Sequence, residues 1–200
     1  NRFWGFVSCK LCYYWNMQCP RRTLTMPNYN GVWSLSTQYQ NAATWNADNP
    51  NPAIGLYAGG FTGSYSDVIE SISPDTAGNG TDFGNLSAAK AFIGATGSDT
   101  RALFGGGTDN NQLNVIDFVT FATAGNASDF GDLTQVNSQG IAACASSTRG
   151  LFGGGKNNVI AYVTIASAGD ATDFGDLTVA PEYTSACSST TRGVFGGGTT

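Results

Sequence analysis

The sequence predicts an all-β fold made of four-stranded antiparallel units, and three observations favour it. An aromatic residue followed by glycines recurs at Phe104, Phe152 and Phe195, with spacings of 48 and 43 residues. A second motif, Asp-Phe-Gly, keeps step with the first. Glycine accounts for 27 of the 200 residues, roughly twice the usual ~7%, and it disfavours helices. Repeats of this length are typical of stacked supersecondary units.

Each repeat reads as four short strands separated by turns. In the third copy the strands are predicted at 141–146, 150–153, 159–165 and 173–178. The third strand is apolar on both faces in the second copy, with Val115 and Val119 on one face and Phe118 on the other. Such a strand must be covered on both sides, so each sheet is expected to lie between two others. Four-stranded units sandwiched in series describe the blades of a β-propeller.

The repeats also predict the domain organisation. A partial blade is expected at 54–87, full blades at 88–134 and 141–178, and a truncated blade at 184–200. Closed propellers need at least about four blades. We therefore expect an incomplete propeller, either a fragment of a longer protein or a ring completed by association, for example as a homo-oligomer. The three repeat phenylalanines, Phe104, Phe152 and Phe195, are expected in equivalent buried positions.

The first 25 residues differ in composition from the rest of the chain. Residues 1–25 contain four basic and no acidic residues, whereas all 14 acidic residues lie in 26–200. A signal peptide fits poorly, because the apolar run is interrupted and no small-residue cleavage site follows it. The pair Cys9 and Cys12 alone is a weak indication of a metal site. We therefore interpret 1–25 as a non-native or unstructured leader and 26–53 as an N-terminal leader segment.

Composition excludes several classes of function. The chain has no histidine, which excludes a Ser-His-Asp triad, a Cys-His pair and histidine-ligated metal sites. We predict no catalytic residue, no cofactor and no metal. The net charge of −5 disfavours binding to a nucleic-acid backbone. No apolar stretch has the ~18 residues needed for a membrane span, so no membrane interaction is predicted.

The order of features within a repeat resembles that of Kelch repeats. Kelch blades also have glycines after the second strand, an aromatic third strand and an aromatic residue entering the fourth strand. Phenylalanine stands where Kelch repeats usually have tryptophan, at Phe83, Phe130 and Phe174. The arginine of each copy, such as Arg101, lies between the first and second strands instead of before the first. No Kelch partner-binding residue is therefore carried over.

The repeats are more closely similar to those of tail fibre and virion structural proteins of tailed phages, especially cyanophages. The matching segments are Thr-Arg-Gly-Val-Phe-Gly-Gly-Gly at 191–198 and the stretch 161–178, and the stretch 28–36 is similar to the opening of such proteins. The resemblance covers 26–200. It implies a Kelch-like propeller and a non-enzymatic component of a virion tail fibre or appendage. Other virion proteins would be its partners, in an extracellular particle.

Two alternatives come from other functional classes. One is a cellular Kelch-type protein-interaction scaffold, which would normally carry a partner-recruiting domain. The other is a propeller enzyme similar to galactose oxidase, which shares the fold. That enzyme chemistry requires copper-ligating histidines, and the chain has none.

The loop after the glycine run, between the second and third strands, is the candidate binding site. It accounts for most of the length variation between copies, and loops on a rigid scaffold commonly carry recognition. Its aromatic, amide and charged side chains suit sugars, so a host surface glycan is the expected ligand. The candidate residues are Tyr65, Asp109, Asn110, Asn111, Gln112, Lys156 and Asn157. The alternative is that these loops are plain solvated connections.

Other recurring residues favour structural roles. The acids Asp170, Asp173 and Asp176 could bind calcium, which prefers oxygen ligands, but Asx turns explain the pattern more simply. Asp-Phe-Gly is interpreted as a turn with an inward aromatic residue. The repeated arginines could bind a carboxylate, but we expect them to tie one repeat to the next.

The repeat register also predicts the state of two cysteines. Cys144 and Cys187 are 43 residues apart, the same spacing as Arg149 and Arg192, so they occupy one position in neighbouring repeats. Equivalent strand atoms of stacked sheets lie too far apart for a disulfide, which needs Cα atoms within about 7 Å. We expect two free, buried thiols that behave as small hydrophobic side chains. The alternative is a disulfide that joins neighbouring repeats, as suits an extracellular particle.

Overall fold

The computed structural model describes residues 54–137 and 139–200, and every regular element within them is a β-strand. The predicted leader segments, 1–25 and 26–53, lie outside the described residues. The strands are β1 (Gly55–Ala58), β2 (Val68–Ile72), β3 (Thr81–Asn85), β4 (Gly94–Gly97), β5 (Arg101–Gly105), β6 (Leu113–Thr120), β7 (Ser128–Asn137), β8 (Ile141–Ala145), β9 (Arg149–Gly154), β10 (Val159–Thr164), β11 (Thr172–Asp176), β12 (Ser185–Ser188) and β13 (Gly193–Gly196). The predicted all-β class is confirmed, and this part of the chain contains no helix that could span a membrane.

The strands form four antiparallel sheets that follow one another along the chain. Their strand orders are β1-β2-β3, β4-β5-β6-β7, β8-β9-β10-β11 and β12-β13. Because each strand pairs with its neighbours in sequence, every sheet is a meander joined by short connections. We call these sheets the first, second, third and fourth repeats. The two central sheets confirm the predicted four-stranded antiparallel unit.

Two hydrophobic cores fill the spaces between successive sheets. The core between the first and second repeats contains Ile69, Phe83, Leu86, Ala102, Phe104 and Val119. The core between the second and third repeats contains Leu103, Ile116, Phe130, Leu133, Ile141, Phe152, Ala161, Val163 and Ile165. Strand β5 contributes to both cores, since successive side chains of a strand point to opposite faces. The second sheet is thus covered on both sides, as its two-faced apolar pattern predicted.

The repeat phenylalanines insert over glycines of the preceding sheet. A Cβ atom built on Gly105 would lie 2.7 Å from Cε1 of Phe152, and one built on Gly153 would lie 3.1 Å from Cε1 of Phe195. Phe104 and Phe152 are each 1% exposed, whereas Phe195 is only half-buried. The prediction that all three phenylalanines are buried was therefore wrong for Phe195, because the fourth repeat contributes only two described strands to cover it.

The Asp-Phe-Gly motif forms a β-bulge at the start of the fourth strand, not the turn that the sequence suggested. In the second repeat Ile116 pairs with Gly131 and Asp117 with Asp129, so Phe130 is the extra residue. The register shifts at the matching place in the first and third repeats. Phe83 and Phe130 point into the cores, but Phe174 is 54% exposed. The predicted inward aromatic residue is therefore wrong at Phe174, which no following sheet covers in the described structure.

Hydrogen bonds from Arg101 connect the second repeat to the third. Its Nη1 atom donates to the carbonyl oxygens of Ile165 and Ala166, each at 3.1 Å. The guanidinium carbon of Arg101 lies 5.0 Å from the ring centroid of Phe118. In the third repeat, the guanidinium carbon of Arg149 lies 4.7 Å from the ring centroid of Tyr162. Both distances are within the range of a cation–π interaction, which helps to hold the guanidinium group in place. The expectation that arginine ties neighbouring repeats together is confirmed at Arg101.

The two cysteines of the repeats are free, but they differ in exposure. Cys144 on β8 is buried and Cys187 on β12 is exposed. The predicted burial of Cys187 is therefore wrong, because in the described structure its sheet has only two strands and no sheet packs beyond it. Burial raises the pKa of the Cys144 thiol, and the nearby Cys187 raises it further.

We expect Cys187 to react with a thiol reagent at least about tenfold faster than Cys144, because the reactive thiolate is disfavoured by burial. The measurement is alkylation at pH 8, followed by mass spectrometry, in a chain with Cys9, Cys12 and Cys19 replaced by Ser. The variants Cys144→Ser and Cys187→Ser assign the two rates. Equal alkylation rates of Cys144 and Cys187 in the folded protein would contradict the burial of Cys144. As a control, the two thiols should react at equal rates in urea, where neither is buried.

Candidate functional site

Two sets of connections leave the stacked sheets at the same end. In a meander, the loop between the second and third strands and the connection to the next sheet emerge on one side. Main-chain hydrogen bonds join the two sets: Gly60 N donates to Lys90 O at 3.0 Å, and Lys156 N donates to Pro181 O at 3.1 Å. We call this region the loop end. It comprises the loops 59–67, 106–112 and 155–158 and the connections 86–93, 139–140 and 177–184.

The structure brings candidate residues from two repeats together at the loop end. The Tyr65 hydroxyl of the first repeat lies 3.5 Å from Asn110 Oδ1 of the second repeat, at the outer limit of a hydrogen bond. The Phe61 and Tyr65 rings form a tilted pair with centroids 5.0 Å apart. Phe61 is more than half exposed. The result is an accessible pair of aromatic rings beside an amide group.

The loop of the second repeat is held in shape by its own side chains. Asp109 Oδ1 accepts hydrogen bonds from the main-chain nitrogen of Asn111 at 3.0 Å and from its side-chain nitrogen at 3.2 Å. These bonds lower the pKa of the Asp109 carboxyl, the main-chain bond having the larger effect. Gln112 pairs with Thr108 across the base of the loop. The exposed loop therefore presents an ionised carboxylate and the Asn110 side chain in a fixed arrangement.

The candidates of the third repeat have different surroundings. The Asn157 side-chain nitrogen donates to Asn137 Oδ1, and Asn157 Oδ1 accepts from Val159 N at 3.1 Å. Asn157 therefore serves to anchor its loop to the end of β7. The exposed Lys156 ammonium lies 3.5 Å from Oε1 of Glu182. Lys156 thus remains available to a ligand, together with a neighbouring carboxylate.

Sequence reasoning missed two aromatic residues at the loop end, Phe92 and Tyr183. They are 45% and 52% exposed, and their rings meet edge to face with centroids 6.0 Å apart. A signal was present, because each lies 12 residues before a repeat phenylalanine, Phe104 or Phe195. Gly140 has the same spacing to Phe152. This spacing identifies one structural position in three successive repeats.

The recurring acidic and amide residues hold the repeats together. Asp170 Oδ1 accepts a hydrogen bond from Asp132 N at 3.0 Å, and Asn126 Oδ1 accepts one from Asn85 N at 3.1 Å. Within the bulge, Asp129 Oδ1 accepts from Gly131 N at 3.1 Å. These bonds support the structural interpretation over the calcium one. Among residues 54–137 and 139–200, no group of three or more acidic or cysteine side chains could hold a metal ion.

The chain matches no protein-family model, and no curated protein matches it. The geometry of the loop end and the resemblance of the repeats are therefore the two grounds for a functional proposal.

Proposed function

We propose that residues 54–200 are blades of a Kelch-like β-propeller in a non-enzymatic virion structural protein, a tail fibre or appendage component that binds a host surface glycan. The propeller is supported by consecutive meanders that pack face to face through continuous cores. The virion role is supported by the similarity of the repeats to those of tailed-phage structural proteins. Binding at the loop end is supported by the side chains that meet there.

One observation carries the glycan part of the proposal. Side chains from two different repeats converge at the loop end, where Tyr65 meets Asn110 and the Phe61 ring lies beside them. A sugar presents both an apolar C–H face and hydroxyl groups. Exposed aromatic rings offer apolar area with little conformational entropy to lose, while the Asn110 amide and the ionised Asp109 carboxylate can bind hydroxyl groups.

We expect Tyr65→Ala to weaken glycan binding about tenfold or more, corresponding to ~1.4 kcal/mol, because an aromatic side chain at the centre of a site carries much of its binding energy. The measurement is the apparent Kd of the chain on immobilised bacterial lipopolysaccharides and capsular polysaccharides. Biolayer interferometry with a multivalent display of the chain gives the sensitivity that weak sugar binding needs.

Phe174→Ala is the matched control for this experiment. Phe174 is also an exposed aromatic residue, but it lies on β11, an edge strand of the third sheet, where its ring packs against Tyr162. Its replacement is expected to leave the Kd unchanged. Failure of every polysaccharide to retain the wild-type chain, or equal loss in both variants, would contradict glycan binding at the loop end.

A further inference from the structure

An exposed aromatic shelf lies beside the loops already described. It consists of Phe92, from the connection between the first and second repeats, and Tyr183, from the connection between the third and fourth. The Tyr183 ring lies over Gly140 of the intervening connection, where an added Cβ would be 3.0 Å from Tyr183 Cδ1. The missing side chain of Gly140 thus lets two rings that are two repeats apart meet at 6.0 Å.

The main chain at both aromatic residues is in an unfavourable conformation. Phe92 has a φ of 59° and Tyr183 a φ of 55°, close to the 65° of Gly140 at the same repeat position. Bulky residues rarely adopt positive φ, and such strain persists only when the surroundings enforce it. At Tyr183 they do, since Tyr183 N donates to Gln139 O at 3.0 Å and Thr184 N donates to Gly140 O at 3.2 Å. Beside Phe92, the main chain of Ala91 is paired with that of Thr108 through bonds of 3.0 and 2.9 Å. Glycine would satisfy this backbone without strain, so the backbone conformation does not explain the aromatic side chains.

Charged and amide groups border the shelf on the side of Tyr183. The Glu182 carboxylate lies 3.5 Å from the Lys156 ammonium. Gln139, with its amide nitrogen turned toward the carboxylate, donates to Glu182 Oε1 at 2.9 Å. Two exposed rings therefore adjoin an acceptor, an amide and an ammonium group within one small region.

We propose that the shelf is a carbohydrate subsite that binds a neutral pyranose. The C–H face of the sugar would pack on one of the two rings, Phe92 or Tyr183, and the other ring, inclined at 76° to the first, would contact the edge of the sugar. The hydroxyl groups of the sugar would bind Glu182, Gln139 and Lys156. The carboxylate at the rim and the net charge of −5 disfavour phosphate-bearing ligands. This inference rests on the proposed function and extends it, because it assigns residues and a sugar class at a position separate from Tyr65.

The test is saturation-transfer difference NMR with methyl β-D-galactopyranoside and methyl β-D-glucopyranoside, each at tens of millimolar. Irradiation of aromatic protons in the wild-type chain is expected to transfer magnetisation to the ring protons of at least one of the two sugars. Phe92→Gly and Tyr183→Gly are expected to abolish this transfer. Each variant introduces glycine at the repeat position that Gly140 occupies in the intervening connection. The melting temperature of both variants should therefore not fall substantially. Phe174→Ala is expected to retain the wild-type signal.

Two results would overturn the subsite. One is a wild-type chain that shows no transfer to either pyranoside, and the other is transfer that persists undiminished in both glycine variants while they remain folded. The polysaccharide measurement on Tyr65→Ala is independent of these outcomes. Polysaccharide binding that depends on Tyr65 but not on Phe92 or Tyr183 would leave the proposed function standing without this subsite.

Discussion

Gly105→Ala is expected to lower the free energy of unfolding by about 1–3 kcal/mol, because the added methyl group overpacks a filled core. Its Cβ would lie 2.7 Å from Cε1 and 3.0 Å from Cδ1 of Phe152. Phe152 cannot move aside easily, since it is 1% exposed and packed in the core between the second and third repeats. In a chain of this size the change should lower the melting temperature by about 2–4 °C per kcal/mol.

The repeats supply their own controls for this substitution. Gly153→Ala places a Cβ 3.1 Å from the half-buried ring of Phe195, and Gly196→Ala meets nothing within 4 Å. The three glycines occupy one repeat position, and none of them has a positive φ. The destabilisation measured by urea unfolding should therefore fall in the order Gly105, Gly153, Gly196, with the last close to zero. Equal effects at all three would attribute the loss to main-chain entropy instead of packing.

Much of the fold could be predicted from the sequence because the repeats constrain it more than once. Matching spacings of the phenylalanines and of Asp-Phe-Gly gave the strand order, and the two-faced apolar pattern of β6 indicated sheets on both sides. Phe195, Phe174 and Cys187 were placed wrongly for a single reason. Their repeat positions were read as equivalent, whereas burial depends on whether a further sheet covers the position, and that is not encoded in the residue itself.

The candidate site was less predictable than the fold. The variable loops pointed to Tyr65 and Asn110, which the structure brings within 3.5 Å. The loops did not indicate that the amide of Asn157 would be used to anchor its own loop. Phe92 and Tyr183 were overlooked because a positive φ at a bulky residue has no sequence signature. The one sequence feature that could have indicated this conformation was Gly140, the glycine at the matching position of the intervening repeat.

Lys90→Met is expected to be the most destabilising single change, lowering the free energy of unfolding by about 3–5 kcal/mol. The Lys90 ammonium lies 2.9 Å from Asp117 Oδ2, and the two side chains are 1% and 0% exposed. The structure gives these buried atoms no hydrogen-bonding partner besides the ion pair itself. Removal of the lysine would leave a carboxylate buried without compensation, and Asp117→Ala would do the same to the ammonium group.

The double variant separates the cost of an unpaired charge from the worth of the pair. Asp117 pairs with Phe104 across β5 and β6, and at the matching place in the third repeat Ala161 pairs with Phe152. The fold therefore accepts an apolar residue there. Lys90→Met combined with Asp117→Ala is expected to recover most of the stability lost in either single variant, because replacing both members of a buried pair by apolar groups is often near neutral.

Urea unfolding of the wild type, the two single variants and the double variant forms the complete thermodynamic cycle. Additive losses, with the double variant the least stable, would show that each charge acts independently of the other. The expected recovery would instead show that the pair contributes little net stability. Its role would then be to distinguish the junction between the first and second repeats from the junction between the second and third, where Ala161 replaces the acid. In a chain of similar repeats, a difference of this kind favours one order of stacking over its alternatives, because the wrong neighbour would leave a charge buried and unpaired.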